Sequence, residues 1–170
     1  PLRRQRQMCI RDSGTPMRSR EEVIVYDTLR SMGLIVLYEF PLKLPDGRII
    51  YPDFLILHPR TRTVYVWEHL GLWYHVEKGA KYQQAFCRKT LDYAALGFGL
   101  GSNLITSYPT VDGGIDAEKI RKMCKQIFFT EATGIGKNEG IPASQFLTDQ
   151  KNLDISMAKD FDSDGWNEFL

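Results

Sequence analysis

Asp53 and Glu68 are the residues of this sequence whose types and positions most directly imply chemistry. Both fall in the stretch Ile49–Gly71, IIYPDFLILHPRTRTVYVWEHLG. It reads as two strands, Ile49–His58 and Thr63–Glu68, rich in β-branched and aromatic residues and joined by a turn at Pro59-Arg60-Thr61-Arg62. Side chains alternate along a strand, so Asp53 shares a face with Leu55 and Leu57, and Glu68 shares one with Val64 and Val66. A turn symmetric about residues 60 and 61 pairs residues whose numbers sum to 121, which sets Asp53 opposite Glu68. Cross-strand Cβ atoms lie roughly 4.5–5.5 Å apart, and like charges at that spacing repel. A bound divalent cation removes the conflict. The competing reading is two solvated strand-end acids, and a one-residue slip of register would put them on opposite faces.

Glu22 and Lys89 join them as candidates. Ser19–Met32 reads as a helix, with Ser19 as N-cap and Gly33 closing its C-terminus. Glu22 at the third helical position completes a capping box, Ser19-Arg20-Glu21-Glu22. Yet Val25, Tyr26 and Leu29 follow it at helical spacing, so Glu22 also falls on the buried stripe, and spacing leaves cap and site open. On a second helix, Lys81–Leu96, the stripe Tyr82, Phe86, Lys89, Tyr93, Leu96 holds one charge, Lys89. Either its stem packs while its amine reaches water, or its amine faces the acids. Two or three carboxylates suit Mg²⁺, which takes oxygen ligands and is held by one or two carboxylates plus substrate phosphate. Such an ion lowers the pKa of a bound water. A neighbouring lysine can orient that water or stabilise a phosphorane-like transition state. That is the equipment of phosphodiester hydrolysis.

The remaining elements must position these groups. Leu34–Leu44 reads as a strand containing Glu39, which reads as structural, and Asp46-Gly47 is a tight hairpin turn into Ile49. Gly71–Gly79 is a loop, Asn103–Tyr108 a strand, and Asp116–Gln126 a helix capped by Asp116 with Ile120, Met123 and Ile127 inward. Ile127–Phe129 reads as a last short strand. This order predicts an α/β domain: a mixed central sheet flanked by helices on both faces. From Thr130 on, Gly, Ser, Asp and Asn accumulate and periodicity fades, so residues 131–170 read as a loosely ordered acidic tail.

With 170 residues the chain holds one domain with a full core. The longest apolar run, Leu34–Tyr38, cannot span a bilayer, and no segment reads as a signal peptide. Three cysteines, Cys9, Cys87 and Cys124, without paired spacing point to a reducing, cytoplasmic setting rather than zinc or disulfides. The net charge of +1 combines +5 over residues 1–20 with −5 over residues 131–170, so the middle is nearly neutral. Composition thus gives weak support for a nucleic-acid partner. Arg60 and Arg62 in the turn, with Lys78, Lys81, Arg88 and Lys89, are candidates for a local basic rim. His58, His69 and His75 show no metal-ligand spacing.

The ordered set carries a resemblance. The helix Glu22, Pro52-Asp53-Phe54, a hairpin, and Trp67-Glu68-His69-Leu70-Gly71 resemble the PD-(D/E)XK nuclease superfamily. Within it, the chain resembles poorly characterised bacterial nuclease-like proteins that carry Arg-Ser-x-x-Glu, Tyr-Glu, Pro-Asp-Phe and Trp-Glu-His-Leu-Gly in this order. A helix spaced like Tyr82, Lys89, Tyr93 and Gly97, and a strand like Asn103-Leu104-Ile105-Thr106, continue the likeness over about residues 18–130. The resemblance implies a restriction-endonuclease-like core, DNA as substrate, Mg²⁺ or Mn²⁺ as cofactor, and Glu22, Asp53 and Glu68 as metal ligands or their helpers. It also implies possible pairing of two copies as a homodimer. The superfamily usually places a lysine two residues after the second acid, where this chain has Leu70. Lys89 matches the helix lysine of the nuclease-like group and takes that role. His69 points to the opposite face from Glu68 in a regular strand and remains a supporting candidate. The alternatives are a catalytically inactive nuclease-like module that binds nucleic acid or a protein, and a plain α/β domain in which Glu22 caps and Lys89 reaches water.

Residues 1–13, PLRRQRQMCIRDS, read as a basic arm. Met8-Cys9-Ile10-Arg11-Asp12 resembles the translated adapter of transposon-based sequencing libraries, so the segment reads as an artefact standing in for the natural N-terminus. Expression from Gly14 is expected to keep folding and activity. Loss of either would show that the arm belongs to the domain.

Overall fold

The computed structural model describes the backbone of Cys9–Ile10 and, in full, residues 16–130 and 140–151. The rest of the basic arm and residues 131–139 and 152–170 of the acidic tail lie outside the described residues. In chain order the elements are β1 (Cys9–Ile10), β2 (Pro16–Met17), α1 (Arg20–Ser31), β3 (Ile35–Tyr38), β4 (Leu42–Lys43) and β5 (Ile49–Ile50). There follow β6 (Phe54–His58), β7 (Thr63–His69), α2 (Gly79–Ala95), β8 (Leu104–Ser107), α3 (Ala117–Cys124), β9 (Ile141–Pro142) and α4 (Ala143–Asp149).

The main sheet runs β3-β6-β7-β8, with β9 also paired to β7. β6 runs antiparallel to both β3 and β7, and β8 joins β7 in parallel, so the sheet is mixed and the fold is α/β. The β6–β7 register, from Phe54↔Trp67 to His58↔Thr63, is the one the turn symmetry predicts. Every residue of β6 is buried, as is every residue of β7 after Thr63. That double burial explains why apolar side chains occupy both faces of these strands. One face, with Phe54, Ile56, Tyr65 and Trp67, packs against Val25 and Leu29 of α1 and Ile120 and Cys124 of α3. The other, with Leu55, Leu57, Val64 and Val66, packs against Tyr93 of α2 and Phe146 of α4. Helices therefore flank both faces.

Three boundaries differ from the sequence reading. The strand expected over Leu34–Leu44 is two pieces, because Glu39 takes a left-handed conformation (φ 47°) that ends β3 and turns the chain into β4. Likewise Ile49–His58 splits at Tyr51-Pro52-Asp53: Pro52 has no N–H to give a ladder, and β5 instead pairs with β4 around the Asp46-Gly47 turn. Ile127–Phe129 is no strand but part of a π-helical turn, Lys125–Phe129, that extends α3 and buries Phe128.

Residues 140–151 also depart from the expected loose tail. β8 covers β7 from Val66 to His69, and β9 covers it at Thr63 and Val64. An edge left open there would invite pairing with other chains. A Cβ on Gly140 would stand 2.6 Å from the Tyr65 ring, so glycine alone lets the backbone approach this closely. Phe146 of α4 is 3% exposed and sits 6.4 Å, centroid to centroid, from Phe98. Emptying a well-packed phenylalanine site costs about 3–5 kcal/mol. Phe146→Ala is accordingly expected to lower the stability read by urea unfolding by about 3 kcal/mol. An unchanged midpoint would show that this segment does not pack on the sheet.

Candidate functional site

The candidate residues meet at the end of the sheet where β6 begins and β7 finishes. Asp53 immediately precedes β6 and continues its register toward Glu68. Both are buried, at 6% and 4% exposure. The Asp53 backbone is held by the Glu39 N–H, which donates to its carbonyl at 3.0 Å. Its side chain is held at both oxygens: Oδ2 accepts the His69 backbone N–H at 2.8 Å, and Oδ1 accepts from Arg18 Nη2 at 3.1 Å. Burial first, then the negative charges of Glu68 and Glu22, push the Asp53 carboxyl well above its ordinary pKa; the Lys89 ammonium and the His69 N–H pull the other way.

Glu68 is gripped from α2. Lys89 Nζ donates to Glu68 Oε1 at 2.6 Å and to the Tyr51 carbonyl at 3.0 Å. The Tyr93 hydroxyl donates to the same Oε1. Lys89 and Tyr93 lie four residues apart, one helical turn, so α2 delivers both to one carboxylate. Burial and the Glu68 charge raise the Tyr93 pKa, which keeps its hydroxyl protonated as a donor. Lys89 thus turns its amine into the site rather than out to water.

α1 delivers Glu22. Ser19 caps the helix, its Oγ accepting the Glu22 N–H at 3.1 Å. The Glu22 carboxylate does not complete the capping box. Its Oε2 accepts from the Tyr38 hydroxyl at 2.7 Å and from the Arg18 N–H at 3.2 Å. Glu22 is therefore both capped residue and buried acid, which resolves the two readings of its position. Burial and the hydrogen bond to Glu22 raise the Tyr38 pKa.

Three groups of the cluster, Arg18, Glu39 and Tyr93, have no site role in the sequence reading. Arg18 Nη2 bridges Glu39 Oε1 at 2.7 Å and Asp53 Oδ1 at 3.1 Å. Glu39, read as structural, is a buried acid of the same cluster, aimed there by its left-handed backbone. No local pattern predicts that φ for a glutamate. Tyr93 was legible only as apolar stripe; its position one turn after Lys89 was the available signal.

His69 faces away from Glu68, as strand alternation requires. Its ring lies between Glu21 Oε2, 2.7 Å from Nε2, and Ser107 Oγ, 2.9 Å from Nδ1. The Glu21 carboxylate only accepts, so Nε2 carries a proton. Trp67 Nε1 donates to the same Ser107 Oγ at 2.8 Å. His69 thus ties α1, β7 and β8 together, and its backbone N–H fixes Asp53. A Cβ on Gly71 would stand 3.1 Å from Glu21 Oε2, so the loop after β7 closes tightly over this bridge. Leu70, two residues after Glu68, is 1% exposed and part of the packed interior.

The basic rim is not assembled as expected. Arg60 and Arg62 sit in the turn beyond His58↔Thr63, the end of the hairpin opposite Phe54↔Trp67. Four residues of strand separate the two ends by roughly 13 Å. Lys78, Lys81 and Arg88 are exposed at and along α2, whereas Lys89 reaches the acids.

Among the described residues, Glu22, Glu39, Asp53 and Glu68 gather around Arg18 and Lys89. Among the described residues no three His, Cys, Asp or Glu side chains form a ready set of metal ligands. Mg²⁺ needs less from the protein, since one or two carboxylates suffice when water and phosphate complete its shell. Hard oxygen donors and burial fit such an ion, with Asp53 and Glu68 as the residues to hold it and Glu22 behind them. Compared with family models, curated proteins and solved structures, the chain matches none.

A raised carboxyl pKa has a definite consequence for stability. Unfolded Asp53 loses its proton near 3.8 while the folded form holds it to higher pH. The folded state therefore binds more protons above that value, and stability falls as pH rises until the folded pKa is passed. Without divalent metal, Asp53→Asn is expected to raise the melting temperature at pH 7–8 by a few degrees, with the gain shrinking as pH falls through the folded pKa and gone below the unfolded value of 3.8. Thermal melts in EDTA across that range check this. A variant less stable than the parent at pH 8 would contradict it.

Proposed function

We propose that this chain is a Mg²⁺- or Mn²⁺-dependent nuclease domain that hydrolyses phosphodiester bonds in DNA. The observation that carries the reading is the placement of two buried carboxylates, Asp53 and Glu68, at one end of the sheet, with the Lys89 amine 2.6 Å from Glu68.

Each residue has a role in that chemistry. Asp53 and Glu68 hold the cation, and Glu22 reinforces the negative field from α1. When bound, the cation lowers the pKa of a water ligand and takes up charge on the scissile phosphate. Lys89 has three donors, of which Glu68 and the Tyr51 carbonyl take two. The third is left for the attacking water or a phosphate oxygen, where a preorganised donor stabilises the charge that develops. Tyr93 fixes the Glu68 carboxylate, and His69 fixes Asp53 through its backbone N–H. Cutting both strands of a duplex calls for a second copy of the site, which a homodimer supplies. No described helix is long and apolar enough to cross a membrane, and the reading places the domain with DNA in the cytoplasm.

A second reading keeps the fold and drops the chemistry. It is favoured by the buried Leu70 at the usual lysine position and makes the domain a module that binds nucleic acid without cutting. The near-neutral charge of residues 21–130 also limits phosphate affinity, which Lys and Arg contacts supply.

Incubation of plasmid and single-stranded DNA with the protein in Mg²⁺, Mn²⁺ or EDTA separates the two. Metal-dependent cutting is expected, abolished in Asp53→Ala and Glu68→Ala and reduced about 10²–10³-fold in Lys89→Ala. Binding without cutting in either metal would establish the second reading. Cutting that survives Asp53→Ala would put the active centre elsewhere.

A further inference from the structure

We propose that Arg18 is the built-in counter-cation of this site, covering the Asp53 oxygen that a divalent metal takes and leaving when the metal binds. The inference rests on the reading of Asp53 as a metal ligand and adds the residue that controls access to it.

The donors on Asp53 lead there. Oδ2 accepts from the His69 backbone N–H, a donor fixed in β7 that cannot withdraw without breaking the strand. Oδ1 faces Arg18 Nη2 at 3.1 Å. Each oxygen keeps a second lone pair, so the guanidinium and a metal ion compete for the place of the cation beside Oδ1, where two positive charges repel. Exposure says which partner yields. The Asp53 and Glu39 side chains are 9% and 8% exposed, against 44% for Arg18, so the arginine enters from the solvent side while the acids stay inside.

Charge makes this exchange rather than titration. A guanidinium stays protonated at all accessible pH, so it leaves only when another cation replaces it. Without one, withdrawing Arg18 would leave the Asp53 and Glu39 carboxylates without the guanidinium that bridges them. The backbone limits the motion to the side chain: the Arg18 N–H lies between Glu22 Oε2 at 3.2 Å and Tyr38 OH at 3.0 Å, which pins the residue just before α1. The displaced guanidinium therefore stays tethered at the mouth of the site, where its planar fork suits phosphate oxygens.

Calorimetric titration of the full chain with Mn²⁺, without DNA, tests this in the parent, Arg18→Ala and Arg18→Gln, with circular dichroism confirming that each is folded. Glutamine keeps the hydrogen-bonding reach and loses the charge, so it serves if alanine unfolds the site. Both variants are expected to bind one Mn²⁺ about tenfold tighter than the parent, the loss of a competing ion pair converted at 1.4 kcal/mol per decade. A parent that binds one Mn²⁺ with variants equal or weaker overturns the role of Arg18 and leaves the metal site standing. No Mn²⁺ bound by any of the three overturns the metal site, and the inference with it.

Discussion

Buried carboxylates that must be held in place are the constraint around which this fold is arranged. Among the described residues, four carboxylates gather at one end of the sheet, with Arg18 and Lys89 beside them. Burying charge is costly, and a fold that only needed a core would place apolar side chains there. The surrounding structure works to keep these acids in position. Asp53 is held by the β7 backbone and Glu68 by two groups one turn apart on α2. Glu22 is held by the hydroxyl of Tyr38 and the N–H before α1. The hairpin β6–β7 provides the platform, and a helix on each face supplies what the platform lacks.

That arrangement divides the site into fixed and exchangeable parts. Asp53, held by the His69 backbone N–H, and Glu68, held by the Tyr93 hydroxyl, are deep, so their geometry is set before any ligand arrives. Such preorganisation is what lets electrostatic groups act on a reaction without reorganising during it. Arg18 and Lys89 approach from the rim, with side chains 44% and 30% exposed. The acids are the permanent feature, and the cations opposite them differ in how readily they depart. His69 serves the fixed part from behind, through its ring anchored on Glu21 and Ser107.

Much of this could be read from the chain. Turn symmetry set the register of the hairpin, because two strands buried on both faces tolerate no slip. Helical spacing put Glu22 and Lys89 on inward stripes, and Ser19 and Asp116 marked the starts of their helices. What escaped was held by long-range contacts. Glu39 enters the cluster only because its backbone takes a left-handed turn, and Arg18 only because Asp53 and Glu39 are brought beside it by β3 and β6. Neither leaves a local periodicity. The ordering of residues 140–151 was also hidden, since β9 is two residues long and gains its place by closing the open half of the β7 edge.

Whether Asp53 and Glu68 hold one divalent cation between them, with Lys89 alongside, is decided by a crystal structure with Mn²⁺ soaked in, phased on the manganese anomalous signal. The proposed site requires one anomalous peak about 2.0–2.3 Å from carboxylate oxygens of both residues, with the Arg18 guanidinium swung off Asp53. A peak bound elsewhere, or none at the acids while Arg18 keeps its contact to Asp53, would contradict it.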